Sequence, residues 1–271
     1  MDADRALQDS LIRLLADAPF RDALMHVDEG VAYGGLTAGQ VEAIRAGDLR
    51  RVDRFGKFLA RQYYHGRIVH FHKYSRVLAH WTGRSPEGLL LTPAFANLLP
   101  NIIIGSRTTA RDLARLVQAY AADARGAPPY AVDLVRYENA QLIAESGPRP
   151  HASAPPRARP QVAVIVNPEA SILRFSYDLP VIFKPLLALA EADEYPAEPP
   201  EVPKAELTLV FVRSPRGRVT VLRWTETIES LTAYLDGERP LSDAIDAATL
   251  PPREGLEIAN ALLDTGVLIP V

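Results

Sequence analysis

Between Glu145 and Pro160 the chain reads ESGPRPHASAPPRARP, and its five prolines separate two stretches in which apolar residues recur with different periods. Proline fixes φ and lacks an N–H, so such a run supports neither a helix nor a central strand and reads as an interdomain linker. Upstream, LQDSLIRLLADAPF, a long segment from Asp53 to His80, and RDLARLVQAYAADA from Arg111 place apolar residues three and four apart, the helical spacing. Downstream, VAVIV from Val162, ILRFSY from Ile172, LTLVFVR from Leu207 and RVTVLRW from Arg218 are short and rich in β-branched, leucine and aromatic residues, as strands are. The expected fold class is therefore α+β. A helical domain spans residues 1–147, a linker 148–160, and an α+β domain 161–271.

Within the second part, Ser214-Pro-Arg-Gly217 supplies turn residues between two strand-like runs, which predicts a hairpin. Thr225 is placed to cap a helix stopped by Asp236-Gly237, and helices from Pro240 and Arg253 follow, the last ended by Gly266 before an apolar tail. The order is hairpin, three helices, terminal strand, which is winged-helix-like. The acidic, proline-rich segment Glu191–Glu206 reads as a mobile loop.

Composition narrows the chemistry. The 271 residues include no cysteine, which excludes a disulfide framework, a thiolate nucleophile and cysteine-ligated metal. With 30 basic against 33 acidic residues the net charge is −3, which argues against a polyanion-coating protein. No basic start leads into an apolar run, and no apolar run has membrane length, so the expected location is cytoplasmic with no membrane partner. Charge is nevertheless uneven: Arg50 to Arg84 holds nine basic residues and one acidic, Asp53, on what reads as a long helix. That face is expected to dock on an acidic protein surface, with Arg54, Arg61, Tyr64, Arg67 and Phe71 as partner-interface residues.

Four histidines, His65, His70, His72 and His80, fall in the same segment. Their spacing misses the i, i+3 or i+4 pattern of a helical metal site, so they read as packing or interface residues, and no metal is expected in this chain. Glycine-rich phosphate loops, a GxSxG elbow and a fixed carboxylate pair are likewise missing from the sequence, and no catalytic residue is assigned. The chain reads as a binder and not as an enzyme.

Two segments resemble known families. PYAVDLVRYENA, with Pro129, Tyr130, Asp133, Leu134, Arg136, Tyr137 and Glu138, resembles the signature of a bacterial family once labelled DNA-binding. That family includes accessory partners of multinuclear non-haem iron oxidative enzymes, as in methanobactin and 3-thiaglutamate biosynthesis. Leu207–Val271, above all LDGERPLSDAI from Leu235, is similar to the recognition elements that bind precursors of ribosomally synthesised and post-translationally modified peptides. The resemblance implies an accessory subunit that binds a precursor (leader) peptide and presents it to a separate iron-dependent enzyme in a heterodimer. Iron and catalysis would then belong to the partner enzyme, with no cofactor in this chain. Strand addition would place the peptide between a strand edge and the last helix, so the expected peptide-binding residues are Val219, Val221, Arg223, Leu256, Asn260 and Leu263. A different class, a DNA-binding transcriptional regulator, is the alternative, although the electrostatic footprint argues against nucleic acid.

Overall fold

The computed structural model describes residues 3–147 and 157–271, so most of the expected linker lies outside the described residues. It is a mixed α+β structure with two small antiparallel sheets of three strands each. Two compact units, Met1–Arg125 and Gly126–Val271, divide the chain.

The first unit is helical: α1 (Ala3–Ala16), α2 (Ala18–His26), α3 (Ala38–Arg45), α4 (Leu49–Phe71), α5 (Lys73–Thr82), α6 (Pro93–Leu98) and α7 (Arg107–Ala122). Local chemistry sets several boundaries. Asp17 ends the first expected helix early because its carboxylate accepts the Phe20 N–H at 2.9 Å and so starts α2. Thr37 and Gln40 form a reciprocal capping box on α3, and Asp48 caps α4 by accepting the Arg51 N–H at 3.0 Å. The expected helix from Asp53 to His80 is in fact two, broken at His72, whose backbone leaves the helical region and whose side chain is buried. Arg21 is only 4 % exposed; its guanidinium donates to the carbonyls of Leu14 and Leu15 at 3.0 and 3.1 Å and pairs with Asp53 at 3.4 Å. Those carbonyls end α1 and have no partner within their own helix. Gly56 makes room for this, since a Cβ there would lie 2.6 Å from the Arg21 guanidinium.

The second unit comprises α8 (Ala131–Glu145), β1 (Ala163–Val166), β2 (Ser171–Tyr177), α9 (Pro180–Ala192), β3 (Lys204–Arg213), β4 (Val219–Arg223), α10 (Glu226–Thr232), β5 (Asp236–Pro240), α11 (Leu241–Ala247), α12 (Pro252–Thr265) and β6 (Leu268–Pro270). One sheet runs β5-β1-β6 and the other β2-β3-β4. The helix α8 packs on β2 and β3, so the division between units falls before this helix and not at the proline-rich run after it. The hairpin stands where Ser214–Gly217 placed it, and a strand, β5, occupies the stop between the first two of the three C-terminal helices. Glu191–Glu206 is shorter as a loop than its composition implies: α9 reaches Ala192, where Asp193 turns left-handed, and β3 begins at Lys204.

Strand β3 is the centre of this unit. Val210 and Val212 face a core built with Leu231, Leu241, Ile245, Leu262 and Leu263, against which Leu222 of β4 also packs. Residues of the opposite parity, among them Phe211, meet Tyr137 of α8, with ring centroids 5.3 Å apart. Burial on both faces explains why the run LVFV, 209–212, is continuously apolar instead of alternating.

Candidate peptide-binding groove

The β2-β3-β4 sheet has two edges. At β2, the Asp133 carboxylate of α8 accepts the Ser176 N–H at 2.6 Å and pairs with Arg136 at 2.8 Å, closing one end of that edge. Among the described residues, strand β4 pairs only with β3. Its hydrogen-bonding parity follows from the two ends of the hairpin, where Trp224 N–H donates to the Thr208 carbonyl and Ser214 N–H to the Arg218 carbonyl, both at 2.8 Å. Antiparallel ladders alternate between hydrogen-bonded and non-hydrogen-bonded pairs, so Thr220 and Leu222 spend their main-chain groups on β3. Val219, Val221 and Arg223 turn theirs outward, and among the described residues no other backbone or side chain takes them.

The same three residues share a sheet face with Leu209 and Phe211, their neighbours in register. On that face lies a groove of about 620 Å³ lined by Tyr137 of α8, Asp178, Pro180, Val181 and Phe183 at the start of α9, Leu207 and Leu209 of β3, and Val221 and Arg223 of β4. Its floor is an aromatic cluster in which Tyr137 meets Phe175 and Phe211 edge-on and Phe183 at a tilt, with centroids 4.8 to 6.3 Å apart. The open main-chain edge and the apolar groove therefore adjoin. Arg223 is exposed and makes no ion pair among the described residues, leaving a guanidinium at the rim.

The helix half of the expected site stands elsewhere. Leu256 and Leu263 belong to the core on the opposite sheet face, with Leu263 only 2 % exposed. Asn260 is occupied, its Oδ1 accepting the Ala158 N–H at 2.8 Å and its Nδ2 donating to the Leu256 carbonyl at 2.9 Å. A sheet has two faces, and the sequence order hairpin-then-helices left open which one α12 covers. The groove-lining Asp178, Val181 and Phe183 went unread. A signal existed in Pro180 at a helix start followed by Ile182 and Leu186, four apart.

The signature around Pro129–Glu138 has a structural role on view. Leu134 is fully buried, Asp133 accepts the Ser176 N–H of β2, Arg136 lies 5.3 Å over the Phe175 ring, and Tyr137 floors the groove. Tyr130 is 2 % exposed, its hydroxyl has no partner among the described residues, and burial pushes its pKa up to about 12.

In the first unit, Arg54 and Arg61 are exposed, and Arg67 is half-buried with its guanidinium 5.1 Å over Tyr63. Tyr64 and Phe71 are corrected to core residues, 1 % and 8 % exposed. The Tyr64 hydroxyl donates to the Ile103 carbonyl at 3.3 Å, and burial raises its pKa well above the ordinary phenol range. Both sit on the inner stripe of α4, which helical spacing of 64, 68 and 71 makes a single face. His65, His70 and His80 are exposed and His72 is buried; among the described residues no three metal-ligating side chains converge. Also among the described residues, no helix is long and apolar enough to cross a membrane. The chain matches no protein-family model and no curated protein.

Proposed function

We propose that the second unit binds an extended peptide by strand addition at β4, and that the chain serves as the accessory subunit that presents a precursor peptide to a partner iron-dependent oxidative enzyme. The observation that carries the binding step is the coincidence at Val221 and Arg223 of outward main-chain groups with side chains that line the groove. An added strand gains main-chain hydrogen bonds, while alternate side chains drop into the groove and supply selectivity. Val221 and Phe183 suit an apolar side chain, and Arg223 suits a carboxylate. The hairpin followed by α10, α11 and α12 supports the winged-helix-like, recognition-element reading, with β5 as an insertion in that order.

The ladder parity gives a sharp test. Val221→Pro removes an outward donor and leaves the β3 pairing intact, whereas Leu222→Pro cuts the ladder itself. With a labelled leader peptide encoded beside this gene, Val221→Pro should fold, by circular dichroism, and lose affinity by about tenfold or more. Leu256→Ala and Asn260→Ala, on the other face, should bind as wild type. Unchanged affinity in folded Val221→Pro rejects the β4 site, and retardation of duplex DNA in place of peptide binding would favour the regulator.

A further inference from the structure

The solvent side of α4 carries a feature that the peptide reading leaves unused. Gly56, Ala60, Tyr64, Ile68 and Phe71 face inward, which turns Arg51, Phe55, Phe58, Gln62 and His65 outward in one row. The steps along that row are four, three, four and three, the a/d spacing of a coiled-coil seam. Phe55 and Phe58 are 50 % and 52 % exposed and stack on each other with centroids 6.3 Å apart. Phe55 and Phe58 are the apolar members of that row, an exposed pair flanked by Arg51, Gln62 and His65. Taking Phe55 as position a, Arg54 and Arg61 both fall at g, one heptad apart, where charges choose the partner of a coiled coil.

The charge pattern says what a second helix there would be. Of the basic residues in this region, Lys57 pairs with Asp53 at 2.6 Å, Arg76 with Glu87 at 3.0 Å and Arg84 with Asp123 at 3.8 Å. Arg51, Arg54 and Arg61 have no carboxylate partner among the described residues, and Asp53, the one acidic side chain of α4, is turned inward to Arg21 and Lys57. A membrane is a poorer match, because two phenylalanines bury too little apolar area for stable anchoring.

We propose that the outer face of α4 docks an acidic amphipathic helix of a partner protein, its apolar residues seated on Phe55 and Phe58 and its glutamates opposite Arg54 and Arg61. This surface belongs to the first unit and stands independently of the β4 groove. The test uses the full chain and two synthetic helices of about three heptads, both leucine at a and d, one with glutamate and the other with lysine at e and g. The glutamate helix should bind, at least about tenfold more tightly than the lysine helix, and weaken as salt rises. Arg54→Glu with Arg61→Glu should reverse that preference, and Phe55→Ser with Phe58→Ser should abolish binding of both while the circular dichroism spectrum stays unchanged. Equal binding of the two helices, no binding of either, or insensitivity to both double variants overturns the proposal. So does a wild-type dimer in sedimentation that the phenylalanine variants dissolve, which would assign the face to a second copy. Binding of duplex DNA or of phosphatidylglycerol vesicles lost in the arginine variants, without binding of the glutamate helix, overturns it as well.

Discussion

Two buried polar side chains illustrate opposite energetic situations. Arg21 satisfies two terminal carbonyls of α1 and reaches Asp53 of α4, so it links α1, α2 and α4. Arg21→Met would strand those acceptors, and thermal or urea unfolding should show a loss of about 2 to 3 kcal/mol. Tyr130 is the reverse case, a buried hydroxyl without a partner among the described residues. Tyr130→Phe removes a desolvated polar group and should leave stability unchanged or raise it by up to about 1 kcal/mol. The phenol also carries a pH signature. Its folded pKa, about 12, lies above the ordinary 10.0, so the folded state holds the proton more tightly than the unfolded state does. Stability should therefore be complete below pH 10 from this group and fall as pH climbs toward 12, and Tyr130→Phe should flatten that part of the profile.

Among the elements, α12 shows how a helix end is tied to a strand. Gly266 adopts φ 81° at the helix C-terminus, and a Cβ there would approach the Arg213 carbonyl to 2.9 Å at the end of β3. The glycine is required twice, by its left-handed backbone and by close approach. Gly266→Ala should cost more than the roughly 1 kcal/mol of an ordinary left-handed cap, read as a lowered unfolding midpoint. The Ser214–Gly217 turn and the Thr225 cap were legible in the sequence because their determinants lie within four residues of the structure they create. The break at His72 was not, since nothing local in HFHKY stops a helix; the histidine there is fully buried. Tyr64 and Phe71 were misplaced for a related reason: interleaved aromatic and basic residues identify an amphipathic helix, but which aromatics face inward depends on the exact helical phase.

For the molecule as a whole, α8 carries the sharpest consequence. Tyr137 closes the face of Phe175 and Phe211, and Asp133 accepts the Ser176 N–H at the end of β2. A fragment beginning at Gly126 should fold cooperatively. One beginning at Pro160 leaves those aromatic rings bare and should aggregate or melt without a cooperative transition, as calorimetry and light scattering would report. The proline-rich run marks a change in composition, and composition alone could not reveal that the helix before it packs on the strands after it.

By itself the sequence determined the α+β class and the positions of the hairpin and of several helices, among them α7, α10, α11 and α12. These follow from period, turn chemistry and caps, all of which act over a few residues. Only the tertiary structure decided which side of the β2-β3-β4 sheet the last helix covers, which unit α8 joins, and which α4 aromatics remain in solvent. A strand buried on both faces looks the same from either side in the sequence, so the choice of face is made by packing between residues far apart in the chain.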